Sequence, residues 1–185
     1  MANYCFTMYA IEGDKEILEK VADAINRGEG WTKKSIENLG LTMDTERYEY
    51  AYRAEWVKEA RVEVRDGVSV LFFSQAYPWE HVDIINEVLE QLGEPNAKIY
   101  MLMHYWEVGE HYTNDHEGKY FPHRFITYTE EENGDAYFLS KEEALAHIRQ
   151  QYKLSDEYDT FEKIEQYCED NDQCVSLNEI VEIER

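Results

Sequence analysis

The stretch at residues 61–73, RVEVRDGVSVLFF, restricts the fold of this chain more than any other. Val62 and Val64 alternate with Arg61, Glu63 and Arg65, the period of a strand with one wet face. Asp66-Gly67 then supplies the two residues that accept the tight turn of a hairpin, and VSVLFF supplies its second strand. A mid-chain hairpin needs partner strands, and both flanks provide one. Residues 3–12, NYCFTMYAIE, form an almost unbroken apolar and aromatic run, the signature of a buried strand. Gly13-Asp14 opens a helix whose stripe is Ile17, Leu18, Val21 and Ile25, with Gly28 where a C-terminal cap belongs. Beyond the hairpin, Pro78 sits where a helix begins, because its missing N–H is not needed there. Val82, Ile85, Leu89 and Leu92 face inward, and Gly93 with Pro95 ends that helix. AKIYMLMHYW follows as a strand apolar on both faces, expected to be central.

The order strand, helix, strand, strand, helix, strand predicts an α+β fold, specifically a ferredoxin-like split βαβ sandwich with an antiparallel sheet and helices on one face. Residues 29–54 are read as an insertion. Trp31, Ile36, Leu39 and Leu41 predict a short helix stopped near Gly40, while ERYEYAYRAEWVKEA fits both helical and strand periods. After residue 106 a strand is expected at 119–128, and Glu132-Asn133-Gly134-Asp135 reads as a turn leading into AYFL. Ser140 with Glu143 is a capping box, and Asp159 with Glu162 repeats it. CVSLNEIVEIE alternates as a final strand. The expected organisation is a domain at 1–129 and an acidic strand–helix–helix–strand extension at 130–185, packed on it.

The net charge is −22, and residues 130–185 hold 5 Lys/Arg against 17 Asp/Glu. No basic stripe is available to release counterions from a phosphate backbone, so direct nucleic-acid binding is not expected, whereas a basic protein partner is. Three cysteines form an odd set, and MANYCFTMYA lacks the basic segment that opens a signal peptide. No apolar run approaches the length of a membrane span. The expectation is a cytoplasmic protein with free thiols and no membrane association.

Three segments carry a family resemblance. Asn3-Tyr4-Cys5 resembles the Asn-Trp-Cys opening of the plasmid-borne, YubB-type ferredoxin-like family. FSQAYPW at residues 73–79 is similar to that family's Thr-x-Trp-x-Pro-Pro segment, and YWEVG at 105–109 resembles its Tyr-x-Glu-Pro-Gly. The motifs run in the family's order over about residues 3–125. Val108 stands where the family has proline, and Glu55-Trp56-Val57-Lys58 replaces its Trp-Gly-Thr-Lys-Trp signature. The resemblance implies a ferredoxin-like fold found on mobile elements, and it brings no catalytic residue.

Two segments compete as the functional surface. Four of the six histidines, His104, His111, His116 and His123, fall among carboxylates between residues 103 and 125. An expected hairpin would bring His104 opposite His123, with His111 and His116 at its tip. Imidazole and carboxylate suit zinc, which makes a metal-dependent hydrolase one reading. Their spacings match no compact zinc signature, so neither a metal nor another cofactor is expected. Cys5 lies in a buried strand, Cys168 and Cys174 lie among acids, and no nucleophile elbow or phosphate loop occurs, so no catalytic residue is assigned. The other surface is the acidic extension, where Tyr152, Asp156, Glu157, Tyr158, Asp159 and Tyr167 pair anionic groups with rigid rings. That combination suits docking on a basic protein, as an inhibitor or DNA mimic would, and is the preferred reading. A self-assembling structural domain is the third.

Overall fold

The N-terminal apolar run becomes β1 (Cys5–Glu12), whose odd-numbered residues Cys5, Thr7, Tyr9 and Ile11 are all essentially inaccessible. The structure is a computed structural model that describes residues 5–28, 33–42, 56–77, 82–105, 109–132 and 134–184. It divides into two units, residues 1–109 and 110–185. Among the described residues both units mix helices with strands, and the chain is α+β.

In the first unit β1 is followed by α1 (Lys15–Gly28), α2 (Lys33–Asn38), β2 (Trp56–Arg65), β3 (Val68–Tyr77), α3 (Val82–Gln91) and β4 (Lys98–Tyr105). The strands run in the order β2-β3-β1-β4, and every pairing is antiparallel. Register places Phe73 and Met101 on either side of Tyr9, and the Tyr9 and Phe73 rings stack with centroids 4.8 Å apart. Each large side chain so buried contributes about 2 kcal/mol of transfer free energy, which makes this face the thermodynamic centre of the unit. α1 starts where the sequence places it, because the Asp14 carboxylate accepts from the Glu16 and Ile17 N–H groups at 2.9 and 3.2 Å. Leu18, Val21 and Ile25 then turn inward.

The hairpin is present as read. Asp66 and Gly67 take φ of 50° and 80°, the left-handed pair that a two-residue turn requires and that Gly67 adopts without a Cβ clash. One local feature was not legible: the β2–β3 register shifts between Lys58 and Arg61. Asn26 on α1 clamps this bulge with both amide atoms. Its Nδ2 donates to the Ala60 carbonyl at 2.9 Å, and its Oδ1 accepts from the Ala60 N–H at 2.7 Å. A backbone pair that the bulge takes out of the ladder is thereby satisfied by a side chain. The expected short helix near Gly40 is α2, while residues 43–55, Trp31 and Pro78 lie outside the described residues.

The second unit holds β5 (Glu110–Thr113), β6 (Phe125–Thr129), β7 (Gly134–Phe138), α4 (Lys141–Gln151), α5 (Phe161–Asp170) and β8 (Val175–Glu182). Strand order is β5-β8-β6-β7, with β8 parallel to β5 and antiparallel to β6. Leu145, Ile148, Tyr152, Ile164 and Cys168 form the core, with Val175 and Leu177 packed against it. The expected strand–helix–helix–strand sequence is therefore present as β7-α4-α5-β8. Its last strand lies between β5 and β6, so residues 110–129, expected with the first domain, share a unit with the acidic segment.

Two local expectations are corrected. The strand expected at 119–128 begins only at Phe125, because the backbone N–H groups of residues 119–121 bind a carboxylate instead of a neighbouring strand. The second capping box is absent as such. Thr160 is the N-cap of α5, one residue past Asp159, and Asp159 pairs with Lys163. The first box holds in modified form. Ser140 Oγ accepts from the Glu143 N–H at 3.2 Å, while the Glu143 carboxylate reaches the N–H of Leu139, not that of Ser140.

Candidate functional site

The histidine-rich segment is organised by two residues that are not histidines. Asp115 is fully buried, and its carboxylate accepts from the N–H groups of Lys119 (2.9 Å), Tyr120 (2.6 Å) and Phe121 (2.8 Å). Arg124 closes the same loop from the other end. Its Nη1 donates to the Phe121 and His123 carbonyls, and its Nη2 to those of Asp115 and His116. Its Nε lies 3.3 Å from Glu182 on β8. Gly118, at φ 65°, makes the bend between Asp115 and the N–H groups it binds, and a Cβ there would lie 3.1 Å from Pro122 Cα. A carboxylate holding three N–H groups and a guanidinium holding four carbonyls satisfy a loop that has no ladder of its own.

The four histidines are dispersed around this arrangement. His104 lies on β4, in register with Phe6 of β1. β6 has β7 on one side and β8 on the other, so the expected hairpin setting His104 opposite His123 does not form. His111 is buried on β5 in register with Ile180. His116 is exposed, with Nδ1 3.1 Å from Glu182 Oε2. His123 lies before β6 with its ring 6.0 Å from that of Tyr137. Among the described residues no group of three or more His, Cys, Asp or Glu is placed to hold a metal. Glu182 is shared between the Arg124 guanidinium, with which it forms an ion pair, and the His116 imidazole, with which it hydrogen-bonds.

The acidic tyrosine-bearing segment is arranged differently. Tyr152 ends α4 inside the core, where its hydroxyl donates to the Cys174 carbonyl at 2.6 Å and accepts from the Glu130 N–H at 3.1 Å. Burial pushes its phenol pKa up. Its ring and hydroxyl join the helix to β8, and this placement removes it from the surface set. Burial also raises the Cys168 thiol, with Cys174 adding to the effect. Tyr158 and Tyr167 are half-buried and meet edge to face at 5.5 Å. Asp156, Glu157 and Asp159 are exposed.

Around the ring pair lies an open groove of about 600 Å³, bordered by Glu157, Glu162, Lys163, Gln166 and Asp170. Lys163 Nζ donates to the Glu157 carbonyl at 3.0 Å and to Asp159 at 2.6 Å, and this contact holds the Asp159 carboxyl below its ordinary pKa. Glu162 is also lowered, first by its own N–H at the helix start and then by the Thr160 hydroxyl. Sequence reading found the tyrosines and the acids before the helix but missed Glu162, Lys163, Gln166 and Asp170. Their signal was available: Glu162, Gln166 and Asp170 recur every four residues, and Lys163 and Tyr167 repeat that spacing one position on.

No protein-family model, curated protein or solved structure matches the chain.

Proposed function

We propose that this chain is a non-enzymatic, cytoplasmic binding protein of a mobile element that docks on a basic protein through the acidic, tyrosine-bearing surface of its second unit. The observation that carries the reading is the α5 groove, where three exposed carboxylates and two half-buried rings share a lining with a single cation, Lys163. Residues 110–185 hold 7 Lys/Arg against 20 Asp/Glu, so the field around that groove attracts cations and speeds the encounter with a basic partner. For the first unit we propose the ferredoxin-like split βαβ sandwich and membership in the YubB-type family. The antiparallel order β2-β3-β1-β4, with α1 and α3 as the crossing helices, supports the fold, and the three motif segments support the family. Among the described residues no helix is long and apolar enough to cross a membrane.

The test separates a docking surface from bulk charge. Binding of fluorescent oligolysine is measured for the full chain, for Asp156→Asn/Glu157→Gln/Asp159→Asn, and for Glu16→Gln/Glu19→Gln/Asp23→Asn in the first unit. The reading expects salt-sensitive binding that the 156–159 set weakens about tenfold and the α1 set less than twofold. Equal losses from both sets would reduce the acidity to a solubility device.

A further inference from the structure

Resting on that reading, we propose that the α5 groove is an arginine socket: one guanidinium from an extended basic segment of the partner lies against the Tyr158–Tyr167 pair and replaces Lys163 as the groove's cation. The edge-to-face arrangement at 5.5 Å leaves ring faces outside the pair, and the quadrupole of such a face attracts a cation. A guanidinium is planar and weakly hydrated, so it stacks on a ring while its N–H groups reach carboxylates at the rim. An ammonium is compact and keeps its water. Glu162 and Asp170, which accepts from Gln166 at 3.0 Å, lie two turns apart on α5 and border the same groove, giving an incoming fork two carboxylates. The chain makes such a stack elsewhere. In the first unit Arg65 lies 4.3 Å over the Phe72 ring while Glu63 takes its Nη2 at 3.0 Å.

Lys163 gives the inference its distinctive consequence. Its ammonium already occupies the groove margin, held by the Glu157 carbonyl and the Asp159 carboxylate. Both contacts are exposed, where ion pairs are weak and water competes, so a ligand can displace it. A lysine that acts only through its charge would oppose arginine-bearing and lysine-bearing ligands equally. A lysine standing in the place of a guanidinium opposes arginine more, so its removal should tighten arginine binding beyond what the lost charge gives lysine.

The experiment uses the full chain and two fluorescent probes of equal charge, nona-arginine and nona-lysine, followed by anisotropy at low and moderate salt. Nona-arginine is expected to bind about tenfold tighter than nona-lysine. Lys163→Met should tighten nona-arginine about threefold and nona-lysine by less, and Glu162→Gln/Asp170→Asn should weaken nona-arginine about tenfold. The matched change Glu142→Gln/Glu179→Gln, which borders a different groove, should stay within twofold. Tyr158→Leu keeps the apolar packing and should reduce the preference for arginine; the two carboxamide variants leave the core intact and test the socket even if Tyr158→Leu unfolds. Equal affinity for the two probes, together with equal losses from both carboxamide pairs, would overturn the socket and leave a diffuse acidic surface standing. Failure of both probes to bind at low salt would overturn the socket and the docking reading together.

Discussion

Two acidic stretches of the second unit, only some forty residues apart, use their carboxylates in opposite ways. Asp115 is buried and surrounded by the donors of its own loop, with three backbone N–H groups on its two oxygens. Glu157, Glu162 and Asp170 stand in solvent around a groove lined by the cation Lys163, and the exposed Asp159 pairs with that lysine. One carboxylate replaces a missing strand ladder, whereas the others leave most of their accepting capacity to water. In a chain of net charge −22, abundance of acid says nothing about role. The role follows from what each oxygen accepts.

The contrast breaks most readily at Asp115. Asp115→Ala strands three N–H donors in a buried turn and should cost about 3 kcal/mol, with loss of order from 114 to 124. Chemical denaturation followed by circular dichroism measures the first effect, and amide exchange at Lys119, Tyr120 and Phe121 measures the second. Asp159→Asn should leave the denaturation midpoint unchanged within error. If the two variants behaved alike, the division into structural and available carboxylates would fail.

The next effect concerns Tyr152, which sequence placed with the available group and structure places in the core. Tyr152→Phe removes the hydroxyl that bridges the Cys174 carbonyl and the Glu130 N–H, which still pair with each other at 3.1 Å, and should cost about 1 kcal/mol. Its pH dependence has a definite sign. Burial raises the folded pKa above that of the unfolded phenol, so the folded state retains the proton more tightly. The contribution is complete below the unfolded value, near pH 10, and is lost as pH rises through the higher folded value. Wild type and Tyr152→Phe should therefore converge in stability at strongly alkaline pH, which denaturant titrations at pH 8 and above would show. A gap that widened with pH would contradict the hydroxyl's role as donor.

How far the sequence was readable follows from which interactions are local. The hairpin at Asp66-Gly67, the α1 start at Asp14 and the α4 cap at Ser140 were legible because each needs only neighbours in the chain. The clamp of Asn26 on Ala60 was not, since it joins residues 34 positions apart through a bulge that no periodicity announces. The expected hairpin setting His104 opposite His123 failed for the same reason. The clustering of the histidines in sequence is real, but register sends His111 to a buried strand and leaves His116 beside Glu182. Asp115 carried no signal at all: an aspartate that binds N–H groups four to six residues ahead looks like any loop acid. The groove on α5 could have been found, because its spacing of four is printed in the sequence, and tyrosines drew attention away from Lys163.

The smallest effect sharpens the comparison at its weak end. Asp159 is lowered chiefly by its hydrogen bond to Lys163, and its side chain is exposed, so the pair should be visible as a titration and scarcely as stability. A depressed carboxylate contributes above its unfolded pKa and loses that contribution as pH falls through the folded one. Carboxyl carbon shifts of Asp159, followed by NMR from pH 6 to pH 2, should give a midpoint below the ordinary aspartate value of about 3.9. Lys163→Met should return that midpoint to the ordinary range while the titration of Glu162 moves little, because Glu162 is lowered by its own N–H and by Thr160. A midpoint unmoved by Lys163→Met would mean that the ammonium is not held at the groove margin in solution. The lysine would then hold no place in the groove, and the extra tightening of arginine over lysine expected of the same substitution should vanish with it.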